Sequence, residues 1–168
     1  MTHLYAQPYD LAASGFYFDS AEEFKTKAAK ARNNYGNLVE EFEIQFIDGD
    51  HIDCDLAKAW RINQANIRPY FDAVETWDDH DKQIFIIAVG EVGYNFDPET
   101  ATPSDFEIDI YHARSMTDLA EDFVAEGLFG DIPDHLANYI DYDTIARDLA
   151  VDYTETEIAG DYLIYRAA

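Results

Sequence analysis

Apolar residues along the chain recur with two periods, and the changes from one to the other predict an alternation of short strands and helices. His3 to Gln7 and Gly15 to Asp19 are short and aromatic-rich, as strands are. Ser20-Ala-Glu-Glu23 has the spacing of a capping box, with the Ser hydroxyl taking an orphan N–H and Glu23 reaching back. It predicts a helix running to about Arg32. From Glu41, EFEIQFI sets Phe42, Ile44 and Phe46 on one face against Glu41, Glu43 and Gln45 on the other. That is the period of a half-buried strand, ending at the turn Asp48-Gly49-Asp50.

Residues 54–92 read mainly as helices. Within them IFIIAV, from Ile84, is β-branched enough to fit a strand equally well. The last third is clearer. FEIDIYH from Phe106 alternates as a strand, and MTDLAEDFVAEGLF from Met116 is a helix with Leu119, Phe123 and Val124 in one apolar stripe. A short helical turn follows Pro133, and a further helix runs from about Asp143 to Ala150. YTETEI and DYLIYR, joined by Ala159-Gly160, form a closing hairpin. The expectation is an α+β chain of two or three small domains with antiparallel sheets and packed helices. Its segments are 1–53, a mainly helical 54–105, and 106–168, with NFDPETATPSD as the last joint.

Composition agrees with a folded core, since 48% of residues are hydrophobic and 15% aromatic, which closes the route to disorder by low hydrophobicity. Charge changes the picture more. Asp and Glu number 35 against 11 Lys and Arg, a formal net charge of −24. Such a chain repels nucleic acid and anionic lipid, so neither is an expected partner. Duplex DNA carries one charge per roughly 1.7 Å, so this charge matches about 41 Å of duplex, close to the diameter of about 40 Å of a globule of this length.

Other features are limiting rather than informative. The single Cys54 allows no internal disulfide and fits a reducing compartment. The opening MTHLYAQPYDLAAS lacks a basic region and a long apolar stretch, and the longest apolar run, IFIIAV, has six residues. A soluble, cytoplasmic protein is expected.

Catalytic patterns are scarce. The five histidines, His3, His51, His80, His112 and His135, are scattered without paired metal-ligand spacing. Asp48, Asp50, Asp53 and Asp55 resemble a hard-cation loop in density but not in order, with Ile52 where an oxygen ligand belongs. His80-Asp81 lacks companions for a metal phosphohydrolase, and Cys54 has no evident base. No phosphate-cradling glycine loop or G-x-S-x-G is present. With so many acids a cryptic carboxylate pair stays open, but the reading is of a non-enzyme without cofactor or metal.

The informative signal is how the acids are arranged. Asp118, Asp122 and Glu126 stand at i, i+4 and i+8 of one helix, with Glu121 beside them and no base on the face. Like charges so spaced cost a helix roughly 0.2–0.5 kcal/mol per pair, and each step rises roughly 6 Å along the axis. Asp131, Asp134, Asp141, Asp143, Asp148 and Asp152 continue the series, interrupted by Arg147. Asp72, Glu75, Asp78, Asp79 and Asp81 form a second set. Beyond residue 100 there are 16 acids and three bases, Arg114, Arg147 and Arg166, whereas Lys25, Lys27, Lys30 and Arg32 lie together early. A solvated face usually interleaves bases, and the ordinary core and early clustering of bases weigh against a halophile's acidic surface. A nearly base-free, self-repelling face is better suited to a strongly positive partner.

At Met116 to Leu149 the residues carry a resemblance. The acidic helix, Leu128 to Pro133, Tyr-Ile-Asp-Tyr at 139–142 and Ala-Arg-Asp-Leu at 146–149 resemble the ArdA antirestriction proteins. LYAQPYDLAASGFYFD and EEFEIQFIDGD resemble that family's opening strands more loosely, and residues 54–105 show no clear likeness. The resemblance implies a DNA mimic of the kind carried by plasmids, transposons and phages. It also implies an elongated dimer of small α+β domains with its contact in the C-terminal part, occupying the DNA groove of type I restriction–modification enzymes, whose methyltransferase core is the expected partner. The mimicking acids would be Asp72, Glu75, Asp78, Asp79, Asp81, Asp118, Glu121, Asp122, Glu126, Asp131, Asp134, Asp141, Asp143 and Asp148. An acidic inhibitor of another nucleic-acid enzyme, such as a CRISPR effector or nucleoid protein, is the alternative.

Overall fold

The alternation at the N-terminus becomes β1 (His3–Pro8) in a computed structural model describing residues 1–168. Leu4, Ala6 and Pro8 point inward from this strand. It is the centre of a three-stranded antiparallel sheet, between β2 (Phe16–Phe18) and β3 (Phe42–Asp48). The chain turns back toward β2 through Gly15, where a Cβ would collide with Ala6 O and the Tyr5 ring, so no larger residue fits. Phe42 and Ile44 of β3 are buried, and Phe46 is half-buried on the same alternation.

Helix α1 (Ala21–Ala28) lays Phe24 against this sheet, with the Phe18 and Phe24 ring centroids 5.1 Å apart. Ser20 caps it as expected, its side chain accepting from the Glu23 N–H. Glu23 instead reaches the N–H of Asp19, one residue earlier than a capping box would place it. The helix also stops at Ala28 and does not continue to Arg32. Arg32 is drawn into a bridge with Leu38, and Asn33 Oδ1 accepts from the N–H groups of Tyr35 and Asn37. That side-chain oxygen offers the backbone an alternative to helix.

Helices α2 (His51–Trp60), α3 (Ile67–Thr76) and α4 (Asp79–Phe85) follow, and a π-helical turn at Ile86–Val92 continues α4. IFIIAV is therefore helical. Phe85, Ile86, Ile87, Ala88 and Val89 are all buried, and a helix covered on every side needs no polar face, so periodicity could not separate it from a strand. Around it lie Trp60, Trp77 and Phe96, with Phe85 4.8 Å from Trp60 and 4.9 Å from Phe96 between centroids.

Met1–Phe106 forms one compact unit. The physical reason is Asp53 itself. Its carboxylate accepts from Thr2 Oγ1 at 3.0 Å and Lys82 Nζ at 2.7 Å, and its carbonyl accepts from Tyr70 OH at 2.9 Å. Buried polar groups tie Thr2, just ahead of β1, to three helices.

The second unit, Glu107–Ala168, carries the other sheet, ordered β4 (Ile108–Tyr111), β6 (Asp161–Ala167), β5 (Thr154–Ile158) and antiparallel throughout. β4 starts later than Phe106, whose ring packs against Phe85 in the first unit. β5 and β6 form the expected hairpin, with Ala159 at φ 55° and Gly160 at φ 90°. Positive φ at both central residues is what a two-residue type I′ hairpin turn demands. Helix α5 (Met116–Ala125) sets Leu119 and Phe123 on Ile164 of the sheet, while Val124 is only partly buried. After Pro133 a single 3₁₀ turn, Ala137–Tyr139, leads to α6 (Tyr142–Leu149), which packs on α5.

Candidate functional site: the acidic faces

Helix α3 turns Tyr70, Phe71 and Ala73 inward, which leaves Asp72 and Glu75 on its solvent side. Asp78 then caps α4, accepting from the Asp81 N–H at 2.8 Å, and Asp79 and Asp81 fill the first turn. Acids here are favoured by the helix dipole. The five carboxylates of this set thus lie along one helix–turn–helix, Asp81 partly buried and the others exposed.

One lysine stands among them in sequence, and the fold removes it from the face. Lys82 is 6% exposed and its ammonium is bound to the buried Asp53. Arg68 does remain on α3, beside a groove of about 400 Å³ that also includes Asp72 and Glu99. Glu99 is an acid the spacing argument did not single out, because it lies in an irregular segment without a helical period.

In the second unit, Ser115 caps α5 and the buried stripe of Leu119, Ala120 and Phe123 fixes which side faces solvent. Glu121, Asp122 and Glu126 are exposed and Asp118 is half-buried. No basic residue occupies the last turn of α5 to offset its dipole. Thr117 Oγ1 donates to Asp143 Oδ1 at 3.4 Å, which brings the first turn of α6 to the start of α5. Asp141 caps α6, accepting from the Thr144 N–H at 3.0 Å and the Thr144 hydroxyl at 2.7 Å. Those two bonds, hydroxyl first, hold its carboxyl below the ordinary value of 3.8. Asp131 and Asp134 lie in the irregular segment between the helices, and Asp148 sits near the end of α6; all three are exposed.

Arg147 interrupts this series in sequence and makes no ion pair within 4 Å, although its charge is a lesser cause of the lowered Asp141 carboxyl. Its Nη2 donates to Thr144 Oγ1 at 2.7 Å and its Nε to the Asp143 carbonyl at 3.3 Å. Arg166 pairs with Asp109 across the sheet at 2.7 Å. The protein's ion pairs within 4 Å involve Asp19, Glu23, Asp53, Asp55 and Asp109. None uses an acid of the two sets.

Exposed apolar residues accompany the second set and were not anticipated from charge: Leu128 is 58% exposed, Phe129 55% and Tyr139 83%. For Leu128 and Phe129 the sequence signal is an apolar pair after the glycine that follows α5, which the sequence pattern assigns simply to the helix. No group of three or more His, Cys, Asp or Glu side chains is placed to share a metal ion. The acidic stretch around Asp50 has Asp53 committed to Thr2 and Lys82. No helix is long and apolar enough to cross a membrane.

What this arrangement offers chemically is a series of hydrogen-bond acceptors with fixed negative charge, spaced by helical turns and supported on buried cores. Comparison with known proteins gives no match among curated sequences. A family model described as Antirestriction protein (ArdA) matches residues 19–163 of the 168, which includes the stretch 54–105. The chain belongs to the ArdA family of antirestriction proteins.

Proposed function

We propose that this antirestriction protein acts as a DNA mimic that binds type I restriction–modification enzymes and occupies the DNA-binding groove of their methyltransferase core. Carboxylates of the two acidic sets stand where phosphates would, and basic residues of the target exchange DNA for protein. The observation that carries this reading is that all fourteen acids reach solvent while the bases nearest in sequence, Lys82 and Arg147, are turned to other partners. Association is then steered by complementary charge.

The chain acts by binding and not by catalysis. In this reading it works as a cytoplasmic homodimer, with Leu128, Phe129 and Tyr139 of the second unit supporting a contact between copies. Binding to a purified type I methyltransferase core, competed by unmodified duplex DNA, tests the proposal together with protection of incoming unmodified plasmid in a restricting host. Binding that duplex DNA fails to displace would refute groove occupancy.

A further inference from the structure

We propose that the groove between β3 and α2 takes an extended, carboxylate-bearing segment of a partner protein, which adds to the free edge of β3 and sets its carboxylate on Arg61. This site uses none of the acids of the two sets.

The sheet order β2-β1-β3 leaves β3 at an edge, and the register shows which backbone groups that edge presents. Tyr9 N–H donates to the Glu41 carbonyl at 3.2 Å, and the pairs Gln7/Glu43 and Tyr5/Gln45 follow at steps of two. In an antiparallel ladder every second pair exchanges hydrogen bonds, so Glu43 and Gln45 turn theirs toward β1. The N–H and C=O of Phe42, Ile44 and Phe46 therefore point out of the sheet. At Phe42 a side chain already stands in for a further strand. Gln64 Oε1 accepts from the Phe42 N–H at 2.8 Å and its Nε2 donates to the Glu40 carbonyl at 3.2 Å, as a neighbouring backbone would. Ile44 and Phe46 continue that row beyond Gln64, and both line the groove.

The groove has a volume of about 350 Å³ and an apolar wall of Ile44, Phe46, Ala57 and Ile62. Its charged lining residues are Lys58 and Arg61, both basic, in a chain with 35 acids and 11 bases. Glu43 alternates to the opposite face of β3 from Ile44. Lys58 is held by Asp55 at 2.8 Å, whereas Arg61 is exposed and enters none of the protein's ion pairs.

Arg61 also occupies an unusual backbone position. It closes α2 at φ 52° and ψ 53°, left-handed values at which glycine or asparagine is the ordinary choice. The helix end uses only its backbone, whose N–H donates to the Ala57 and Lys58 carbonyls. Lys58, in the last turn, already offsets the dipole. Capping thus leaves the guanidinium unexplained, and a bound carboxylate accounts for it.

These features together select the occupant. A small anion would satisfy Arg61 but leave the edge of Ile44 and Phe46 and the apolar wall bare. A net charge of −24 opposes a long polyanion. An extended segment with a carboxylate between apolar side chains meets all three, its main chain supplying affinity and its side chains specificity.

The test uses the full chain and an end-blocked peptide with valine, glutamate and valine at alternate positions and threonines between them. Binding is expected to slow hydrogen exchange at the Ile44 and Phe46 amides and to slow alkylation of Cys54, the single cysteine, which lines the groove. R61N removes the charge but suits left-handed backbone, so it should unfold at or above the temperature of the unaltered protein and bind the peptide about tenfold more weakly at low ionic strength. N-methylation of the peptide at alternate residues should abolish binding in one phase and spare it in the other. No binding, or equal binding of the peptide with lysine for glutamate, overturns the proposal. A blocked single glutamate binding as tightly would make this a small-anion site, and self-association that R61N abolishes would make the occupant a second copy; either result also overturns it.

Discussion

Lys82 Nζ lies 2.7 Å from Asp53 Oδ1, with the two side chains 8% and 4% exposed. Thr2 and Tyr70 hydrogen-bond the same aspartate, at its carboxylate and carbonyl respectively. This pair joins α2 to α4, with Thr2 just ahead of β1 bound to the same carboxylate, and withdraws the cation that follows Asp78, Asp79 and Asp81 in the chain. One contact therefore serves both the cohesion of the first unit and the sign of its surface.

Removing either partner strands a buried charge. Asp53→Ala or Lys82→Met is expected to destabilise the protein by about 3–5 kcal/mol, read from urea unfolding of the full chain. The double variant D53L/K82M should recover much of that loss, because it leaves no unpaired charge. Additive losses in the double variant would show that the pair is not the linking element.

On α5, function and stability should move in opposite directions. D122N/E126Q removes like-charge repulsion and is expected to stabilise the helix by roughly 0.2–0.5 kcal/mol per pair, seen as a small rise in Tm. The same substitutions should weaken inhibition of a type I enzyme. A gain in stability without loss of inhibition would assign this face to solvation alone.

Inhibition should be shared among many acids. Single neutralisations such as Asp72→Asn, Asp131→Asn or Asp148→Asn should each change binding to the methyltransferase core only slightly, and grouped neutralisations should change it strongly. Affinity and association rate should both fall as salt is raised. Complete loss on one exposed substitution would replace distributed mimicry by a single hot spot.

The cap at Asp141 gives a pH dependence of defined sign. Its folded-state pKa is lowered by the Thr144 hydroxyl and N–H, so its stabilising contribution is full above the ordinary value of 3.8. That contribution is lost as pH falls through the folded value. Acid unfolding followed by circular dichroism should therefore show a shallower low-pH slope for Asp141→Asn than for the unaltered protein. An unchanged slope would mean that the cap does not titrate with folding.

The turn of the closing hairpin is suboptimal. Ala159 sits at φ 55° beside Gly160, and left-handed backbone costs an ordinary L-residue roughly 1–2 kcal/mol. Ala159→Asn creates the preferred Asn-Gly turn and should raise stability by up to about 1 kcal/mol, measured as a shift in the urea midpoint at constant slope.

Local chemistry made much of this fold legible. The Phe42/Ile44/Phe46 alternation, the Ser20 cap and the Ala159-Gly160 turn are determined by nearest neighbours in the chain, and the structure has each of them. The same holds for the successive turns bearing Asp118, Asp122 and Glu126, since a buried Leu119/Phe123 stripe dictates which side remains outside. IFIIAV was not legible, because complete burial erases the polar face that reveals a helix. The early end of α1 is not legible in the sequence because it depends on the Arg32–Leu38 bridge and on Asn33, contacts made after the chain turns back.

By itself, then, the sequence determined the excess of acids, their helical spacing and the family's C-terminal signature. Only the tertiary structure decided whether nearby bases would neutralise those acids. Lys82 and Arg147 stand beside carboxylates in the chain, but one reaches inward to Asp53 and the other to a threonine hydroxyl and a backbone carbonyl. Long flexible cations can pair in several directions, and burial and packing select one, so the unneutralised surface is a property of the fold as much as of the composition.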